Sequence, residues 1–133
     1  MKTPIVILDT NIIISAYFKK KSNSAKILNL AFQGKIKTFW NNKMRNELNI
    51  ILRNIHARKS FYKYIDKIYN NENKVLRTPK INIIKEDPSD NIFLGLAKAK
   101  KADFVISSDQ HLLKFKKFEK TKIIKPSKFI NCY

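Results

Sequence analysis

Ten acidic side chains occur in this chain of 133 residues, against 28 lysines and arginines, so the position of each acid is informative. Asp9 directly follows the apolar run Ile5 to Leu8, and Asp109 follows Phe104 to Ile106 after two serines. Short apolar runs bounded by polar residues are typical of strands that are buried on both faces of a parallel sheet. Since the carboxyl ends of such strands meet at one edge of the sheet, we expect Asp9 and Asp109 to lie close together.

A third acid, Asp90, could reach the same edge from the start of a helix. The run Asp87-Pro-Ser-Asp90 predicts that start, with Asp87 as the helix cap and Pro88 in the first position. Asp90 also has a purely structural interpretation, because exposed amides and the helix dipole favour acids in a first turn. For Asp87 the structural role of a cap is the favoured one.

Glu47 is the fourth candidate and the least secure of the set. It stands three residues after Met44 and four before Ile51, which places it on or beside the buried face of a predicted helix. A solvated glutamate paired with Arg45 or Lys43 is the competing interpretation.

Carboxylates that converge repel one another unless a cation lies between them. Mg²⁺ and Mn²⁺ prefer oxygen ligands and retain water molecules for a phosphate substrate. A metal in such a site increases the nucleophilicity of a bound water and stabilises charge on phosphate oxygens. The acids therefore predict metal-dependent hydrolysis of phosphodiester bonds.

The elements that must position these acids alternate between strands and helices. Apolar runs predict strands at Ile5 to Leu8, Ile36 to Trp40, Phe104 to Ile106 and Ile123 to Ile124, with helices between them. Alternation of this kind predicts a parallel sheet with right-handed crossovers. We expect a single domain over residues 1–133, with a three-layer α/β/α fold around a central four- to five-stranded parallel sheet.

Local signals predict several element ends. Thr10 or Asn11 is expected to cap the first helix and Ser24 the second. The segment from Lys74 to Glu86 is not assigned, because Pro79 disfavours a helix and its isoleucines fit either a short strand or an extended connection.

The net charge of +18 indicates a polyanionic partner, with nucleic acid favoured over a membrane. Lysine outnumbers arginine, and lysine suits contacts with a phosphate backbone. The candidate nucleic-acid-binding residues are Lys98, Lys101, Lys114, Lys116 and Lys117. No apolar run approaches the length of a membrane helix, no signal peptide is expected, and a cytoplasmic protein is predicted. The single cysteine and two histidines give no reason to expect a zinc site, and His111 is interpreted as incidental.

These residues together resemble the PIN domain family. The pattern consists of Asp9-Thr-Asn11 after an apolar strand, a helical Glu47, Asp87-Pro-Ser-Asp90-Asn91 at a helix start, and Ser107-Ser-Asp109 after a strand. The resemblance is greatest to the single-domain toxins of toxin–antitoxin modules. It implies an Mg²⁺- or Mn²⁺-dependent endoribonuclease with Asp9, Glu47, Asp90 and Asp109 as catalytic residues and metal ligands. It also implies supporting roles for Asn11 and Ser107, RNA as the substrate, a cognate antitoxin and a homodimer.

Other functions remain open or are disfavoured by particular residues. A haloacid-dehalogenase-type phosphatase would need an acid where Asn11 stands, and a receiver domain would need an acidic pair where Lys2 and Thr3 stand. A housekeeping RNA-processing nuclease, a nuclease acting on DNA and a non-catalytic basic RNA-binding module are the remaining alternatives.

Overall fold

A computed structural model describes residues 2–133 and shows alternating strands and helices. In chain order the elements are β1 (Ile5–Leu8), α1 (Thr10–Phe18), α2 (Asn23–Phe32), β2 (Lys37–Thr38), α3 (Asn42–Asn54), α4 (Lys59–Ile68), α5 (Asn91–Lys100), β3 (Phe104–Ile106), α6 (Gln110–Leu113), β4 (Lys117–Phe118), β5 (Thr121–Ile124) and α7 (Pro126–Cys132). Two short 3₁₀ turns lie at Asn71–Asn73 and Pro88–Asp90.

The sheet has five strands in the order β2-β1-β3-β5-β4. The first four are parallel to one another, with Val6 opposite Thr38 and Phe104, and Val105 opposite Ile123. The predicted α/β/α fold is confirmed, since helices flank a mostly parallel sheet. The predicted number of four to five strands is also confirmed, and the edge strand β4 pairs with β5 in the antiparallel direction.

The apolar runs form the core as their patterns predict. Val6, Ile7 and Leu8 of β1 are fully buried, as are Val105 and Ile106 of β3. On α3, Met44, Leu48 and Leu52 recur every four residues and all lie in the same buried cluster. Burial of side chains on both faces of β1 and β3 places these strands at the centre of the fold.

Two predicted helix caps are wrong by one or two residues. Asp9, rather than Thr10 or Asn11, caps α1, because its Oδ1 accepts the backbone N–H of Asn11 at 3.2 Å. Ser22, rather than Ser24, caps α2 and accepts the N–H of Ala25 at 3.1 Å. Ser24 is instead a buried residue within the first turn.

The unassigned segment 74–86 forms no regular strand and crosses α5 as an extended strap. Asn91 holds its end, because the Asn91 amide accepts from the N–H groups of Ile83 and Ile84 and donates to the carbonyls of Ile84 and Pro88, all at 3.0–3.1 Å. The strap comes so close to Gly95 that a Cβ there would lie 2.9 Å from the carbonyl oxygen of Pro79. Backbone contact with α5 therefore fixes the strap.

Among residues 2–133, no helix has both the length and the apolar character needed to cross a membrane.

Candidate active site

The carboxyl ends of β1 and β3 bring Asp9 and Asp109 to the same edge of the sheet. Leu8 lies opposite Ile106 in the parallel register, and each strand is followed at once by polar residues. The buried Ser107 hydroxyl joins the two segments, because it donates to Asp9 Oδ2 at 2.6 Å and accepts the backbone N–H of Asp109 at 2.9 Å. Ser107 thereby fixes the orientation of the Asp9 carboxylate, which is only 3 % exposed.

All four predicted acids line one small cleft of about 170 Å³ at this edge. Its lining consists of Asp9, Thr10, Asn11, Glu47, Ile51, Asp87, Ser89, Asp90, Phe93 and Asp109. The convergence that the sequence required is therefore present, and the predicted supporting residue Asn11 lies in the same lining. The backbone N–H of Asn11 donates a hydrogen bond to the Asp9 carboxylate, while the Asn11 side chain is exposed.

Asp90 is the buried centre of the cluster. Its side chain is 6 % exposed, and its Oδ2 has no hydrogen-bond partner in the described part of the chain. Burial, followed by the effects of the Asp109 carboxyl group, raises the pKa of Asp90 to about 8. The neighbouring Asp90 carboxyl group in turn lowers the pKa of Asp109. A buried carboxylate without a donor needs either a proton or a cation, and this pair retains a proton when no cation is bound.

The two remaining predicted acids are also affected by burial. Burial raises the pKa of Asp9, although the hydrogen bond from Ser107 opposes this effect. Partial burial raises the pKa of Glu47, and the charge of Lys43 lowers it. Glu47 reaches the cleft from α3, so the helical position inferred from Met44 and Ile51 does face this edge.

Two residues that the sequence interpretation set aside belong to the cluster. Ligand atoms of Asp87, Asp90, Asp109 and His111 all lie within 4.8 Å of one another. Asp87 was expected to cap a helix, but its side chain makes no cap hydrogen bond and accepts the hydroxyl of Ser89 at 2.6 Å instead. His111 Nδ1 is buried, lies 3.5 Å from Asp109 Oδ1 and has no hydrogen-bond partner among residues 2–133. The sequence signal that could have placed His111 in the cluster is the spacing Asp109-x-His111. The helix α6 begins directly after Asp109 and brings His111 back towards the end of β3.

The predicted RNA-binding lysines lie in different places. Lys98 lies in the last turn of α5 and Lys101 directly follows this helix, roughly 12 and 17 Å along the helix axis from Asp90. Lys98 pairs with Glu119 at 3.3 Å. Lys114 pairs with Glu86 beside the cleft, Lys116 lies in the turn before β4, and Lys117 is the first residue of β4. The five lysines therefore do not form one surface: Lys114 lies beside the cleft, whereas Lys98 and Lys101 are remote from it.

The donor set fits a hard divalent cation. Carboxyl groups from four segments of the chain line the cleft, and Asp90 Oδ2 among them has no hydrogen-bond partner within residues 2–133. One imidazole nitrogen, from His111, lies within 4.8 Å of ligand atoms of Asp87, Asp90 and Asp109. Oxygen ligands of this kind suit Mg²⁺ and Mn²⁺, and an imidazole is compatible with the transition metal. The cleft can therefore hold a cation next to an open surface that a phosphate could approach.

A comparison with protein-family models finds a match over residues 5–111 to the model described as the PIN domain. The match includes every acid of the cleft and both predicted supporting residues. None of the curated proteins compared with the chain is similar enough to count as a relative.

Proposed function

The chain belongs to the PIN domain family, a family of nucleases that use divalent metals, and we propose on this basis that it is an endoribonuclease dependent on Mg²⁺ or Mn²⁺. The observation that carries the proposal is the buried Asp90 Oδ2, which has no partner among residues 2–133 and lies among the carboxylates of a cleft at the sheet edge. A protein that only bound RNA would gain nothing from concentrating negative charge there, because the phosphate backbone would be repelled.

The proposed ligands are Asp9, Glu47, Asp90 and Asp109, with Asp87 and His111 at the open side of the same cluster. A bound Mg²⁺ or Mn²⁺ ion would supply the positive charge that activates water and stabilises the phosphate oxygens during hydrolysis. Ser107 holds Asp9 in place through the 2.6 Å hydrogen bond, so that carboxylate needs little reorganisation. Glu47, whose pKa is raised by partial burial, is the candidate acceptor for the proton of the attacking water.

Cleavage of RNA in the presence of Mn²⁺, in EDTA and by the Asp9→Asn variant tests this mechanism. We expect cleavage by the wild type with Mn²⁺ and a loss of at least about 100-fold in EDTA or in the variant, since each removes charge from the site. Asp66→Asn is the matched control, because Asp66 is exposed and pairs with Arg45 outside the cleft. Undiminished cleavage by Asp9→Asn, or in chelator, would contradict the mechanism.

We further propose that the nuclease acts as the toxin of a toxin–antitoxin pair, with a cognate antitoxin that covers the cleft and a homodimer as the assembly. The support is the resemblance to single-domain PIN toxins and the net charge of +18, which suits a cellular RNA target. Expression of the wild type without a partner should arrest growth, and expression of Asp90→Asn at the same level should not. A harmless wild type that still cleaves RNA would indicate a housekeeping RNA-processing nuclease instead. Sedimentation of the purified protein would test the homodimer.

A further inference from the structure

A groove of about 540 Å³ lies beside the acidic cleft and is not used by the proposed chemistry. One wall is the strap, through residues 78–82, and the other is formed by the start of α3 with Asn41 and Lys43. Pro88 and, from α5, Asn91, Ile92 and Gly95 complete the lining. We propose that this groove binds a nucleotide of single-stranded RNA next to the phosphate that is cleaved, with Lys43 and Lys80 contacting its phosphates; the inference rests on the proposed function.

The groove and the cleft are neighbours along two elements. The 3₁₀ turn Pro88–Asp90 separates them, because Pro88 lines the groove while Ser89 and Asp90 line the cleft. Helix α3 contributes Lys43 to the groove and Glu47, one turn later, to the cleft. The rise between these two residues is about 6 Å, and the charge of Lys43 is close enough to lower the pKa of Glu47. The cleft and the groove are therefore neighbours, so that a chain bound in the cleft can continue into the groove.

The chemistry of the groove is opposite to that of the cleft. Five of the ten acids line the cleft, whereas no acidic side chain lines the groove within residues 2–133. The groove carries the exposed lysines Lys43 and Lys80, and the exposed amide of Asn82 offers both a donor and an acceptor. Lysines suit phosphates, and a side-chain amide suits the hydrogen-bonding edge of an unpaired base. The basic and polar lining of the groove therefore fits a nucleotide that lies next to the scissile phosphate and outside the acidic cleft.

The shape of the groove selects a single strand. Its volume lies in the range typical of sites for small ligands, which is enough for one nucleotide. A base must be unstacked to enter a depression of this kind, and unpaired regions of RNA supply such bases. The strap that forms the wall is held in advance by three hydrogen bonds between Asn91 and the backbone of Ile83 and Ile84, and by its contact with Gly95, so little ordering is needed on binding.

The test compares two double variants that lose the same charge. Lys43→Ala with Lys80→Ala removes both groove lysines, while Lys20→Ala with Lys26→Ala removes two exposed lysines that line a different depression beside α1 and α2. Binding of a fluorescent pool of random-sequence single-stranded RNA 12-mers is measured in EDTA, where no cleavage is expected, at several KCl concentrations. Two lost phosphate contacts should reduce the salt slope of log K by about 1.4 and weaken binding roughly tenfold at low salt. The control pair should change the slope by less than half as much.

A second measurement locates the RNA directly. A 4-thiouridine-containing pool is photo-cross-linked to the wild type, and we expect cross-linked peptides that contain residues 78–82. Equal slopes for the groove variant and the wild type, or cross-links that avoid this segment, would overturn the inference. The two proposals fail separately: wild-type protein that shows the groove effects but no cleavage with Mn²⁺ contradicts only the nuclease mechanism. Active enzyme whose KM is unchanged by the groove substitutions contradicts only the groove.

Discussion

Asp90 determines how the site behaves when no cation is bound. Its pKa is raised to about 8 by burial and by Asp109, so the folded protein retains a proton that the unfolded chain has lost above about pH 4. Burial raises the pKa of Asp9 and of Glu47 in the same direction. Between about pH 4 and about pH 8 the folded state binds more protons than the unfolded state. The stability of the folded state therefore falls as the pH rises through this range. The lowered pKa of Asp109 acts only below about pH 4, outside this window.

We expect Asp90→Asn to stabilise the metal-free protein at pH 8, because an amide has no charge to desolvate. Thermal unfolding in EDTA should show a wild-type midpoint that decreases from pH 5 to pH 8 and a smaller decrease in the variant. The gain at pH 8 should be at least about 1 kcal/mol, which is roughly 4 °C for a domain of this size. Asp66→Asn, at an exposed salt bridge, should leave the pH profile unchanged. Parallel profiles for the wild type and Asp90→Asn would contradict the raised pKa.

His111 offers a second test at the level of single residues. Its buried Nδ1 has no hydrogen-bond partner in the described residues, and His111 contributes a ligand atom to the cluster with Asp87, Asp90 and Asp109. We expect His111→Ala to weaken Mn²⁺ binding about 10-fold, and Mg²⁺ binding less, because an imidazole favours the transition metal. Calorimetric titration of both metals measures this difference without any substrate.

The other histidine provides the control for that titration. His56 has a positive φ of 53°, so His56→Asn is the suitable change, since asparagine tolerates that conformation. Unchanged Mn²⁺ affinity in His111→Ala, or an equal loss in the His56 variant, would remove His111 from the ligand set.

At the level of elements, the sequence predicted what depends on hydrophobic runs. β1 and β3 were located from four and three consecutive apolar residues, and their parallel pairing placed Asp9 and Asp109 at one edge. β4 was missed because Lys117 and Phe118 form only two residues of strand between Lys116 and Glu119, both with positive φ. A pairing that depends on turn geometry leaves no periodic signal.

The features that the sequence did not predict depend on contacts that single side chains make with distant parts of the chain. Ser107 and Asn91 each join segments that are distant in sequence or irregular, and neither role is visible from residue spacing. Asp87 looked like a helix cap because Pro88 followed it, whereas the turn that forms is 3₁₀ and leaves the Asp87 carboxylate facing the cluster. The family match covers residues 5–111, and the role of each residue in the predicted site stays a prediction.

Gly95 is the residue of α5 at which a larger side chain would disturb the contact between this helix and the strap. Alanine normally improves a helix interior by about 1 kcal/mol relative to glycine. At this position the Cβ would lie 2.9 Å from the carbonyl oxygen of Pro79, which is backbone and cannot move without the strap. We therefore expect Gly95→Ala to destabilise the protein by about 1–3 kcal/mol and to increase proteolysis within residues 74–86.

Urea unfolding and limited proteolysis measure the two effects of Gly95→Ala. Gly34→Ala is the comparison: it has a positive φ of 75° and no neighbour within 4 Å, so it should lose stability without exposing the strap. Stabilisation by Gly95→Ala would mean that the strap does not rest on α5.

For the whole molecule, the distribution of charge matters more than its sum. Arg45, Lys98 and Lys114 are the lysine and arginine residues that form salt bridges within residues 2–133. Five of the ten acids are concentrated in the cleft, so most of the basic surface is not neutralised by nearby carboxylates. The field outside the cleft favours polyanionic partners and at the same time destabilises the folded chain through repulsion between like charges.

The positive field predicts that added salt stabilises the folded protein and weakens its binding to RNA. Raising KCl from 0.05 to 0.5 M should increase the unfolding midpoint of the metal-free protein, by about 1 kcal/mol in stability, because screening reduces the repulsion among exposed lysines. The same increase should weaken binding of single-stranded RNA by at least about 100-fold, because each phosphate contact releases condensed counterions. Thermal unfolding and fluorescence anisotropy on the same samples measure both. Lys20→Ala with Lys26→Ala, which lowers the net charge from +18 to +16, should reduce the stabilisation by salt. A midpoint that falls with KCl would show that specific ion pairs, rather than net repulsion, dominate the electrostatics of the fold.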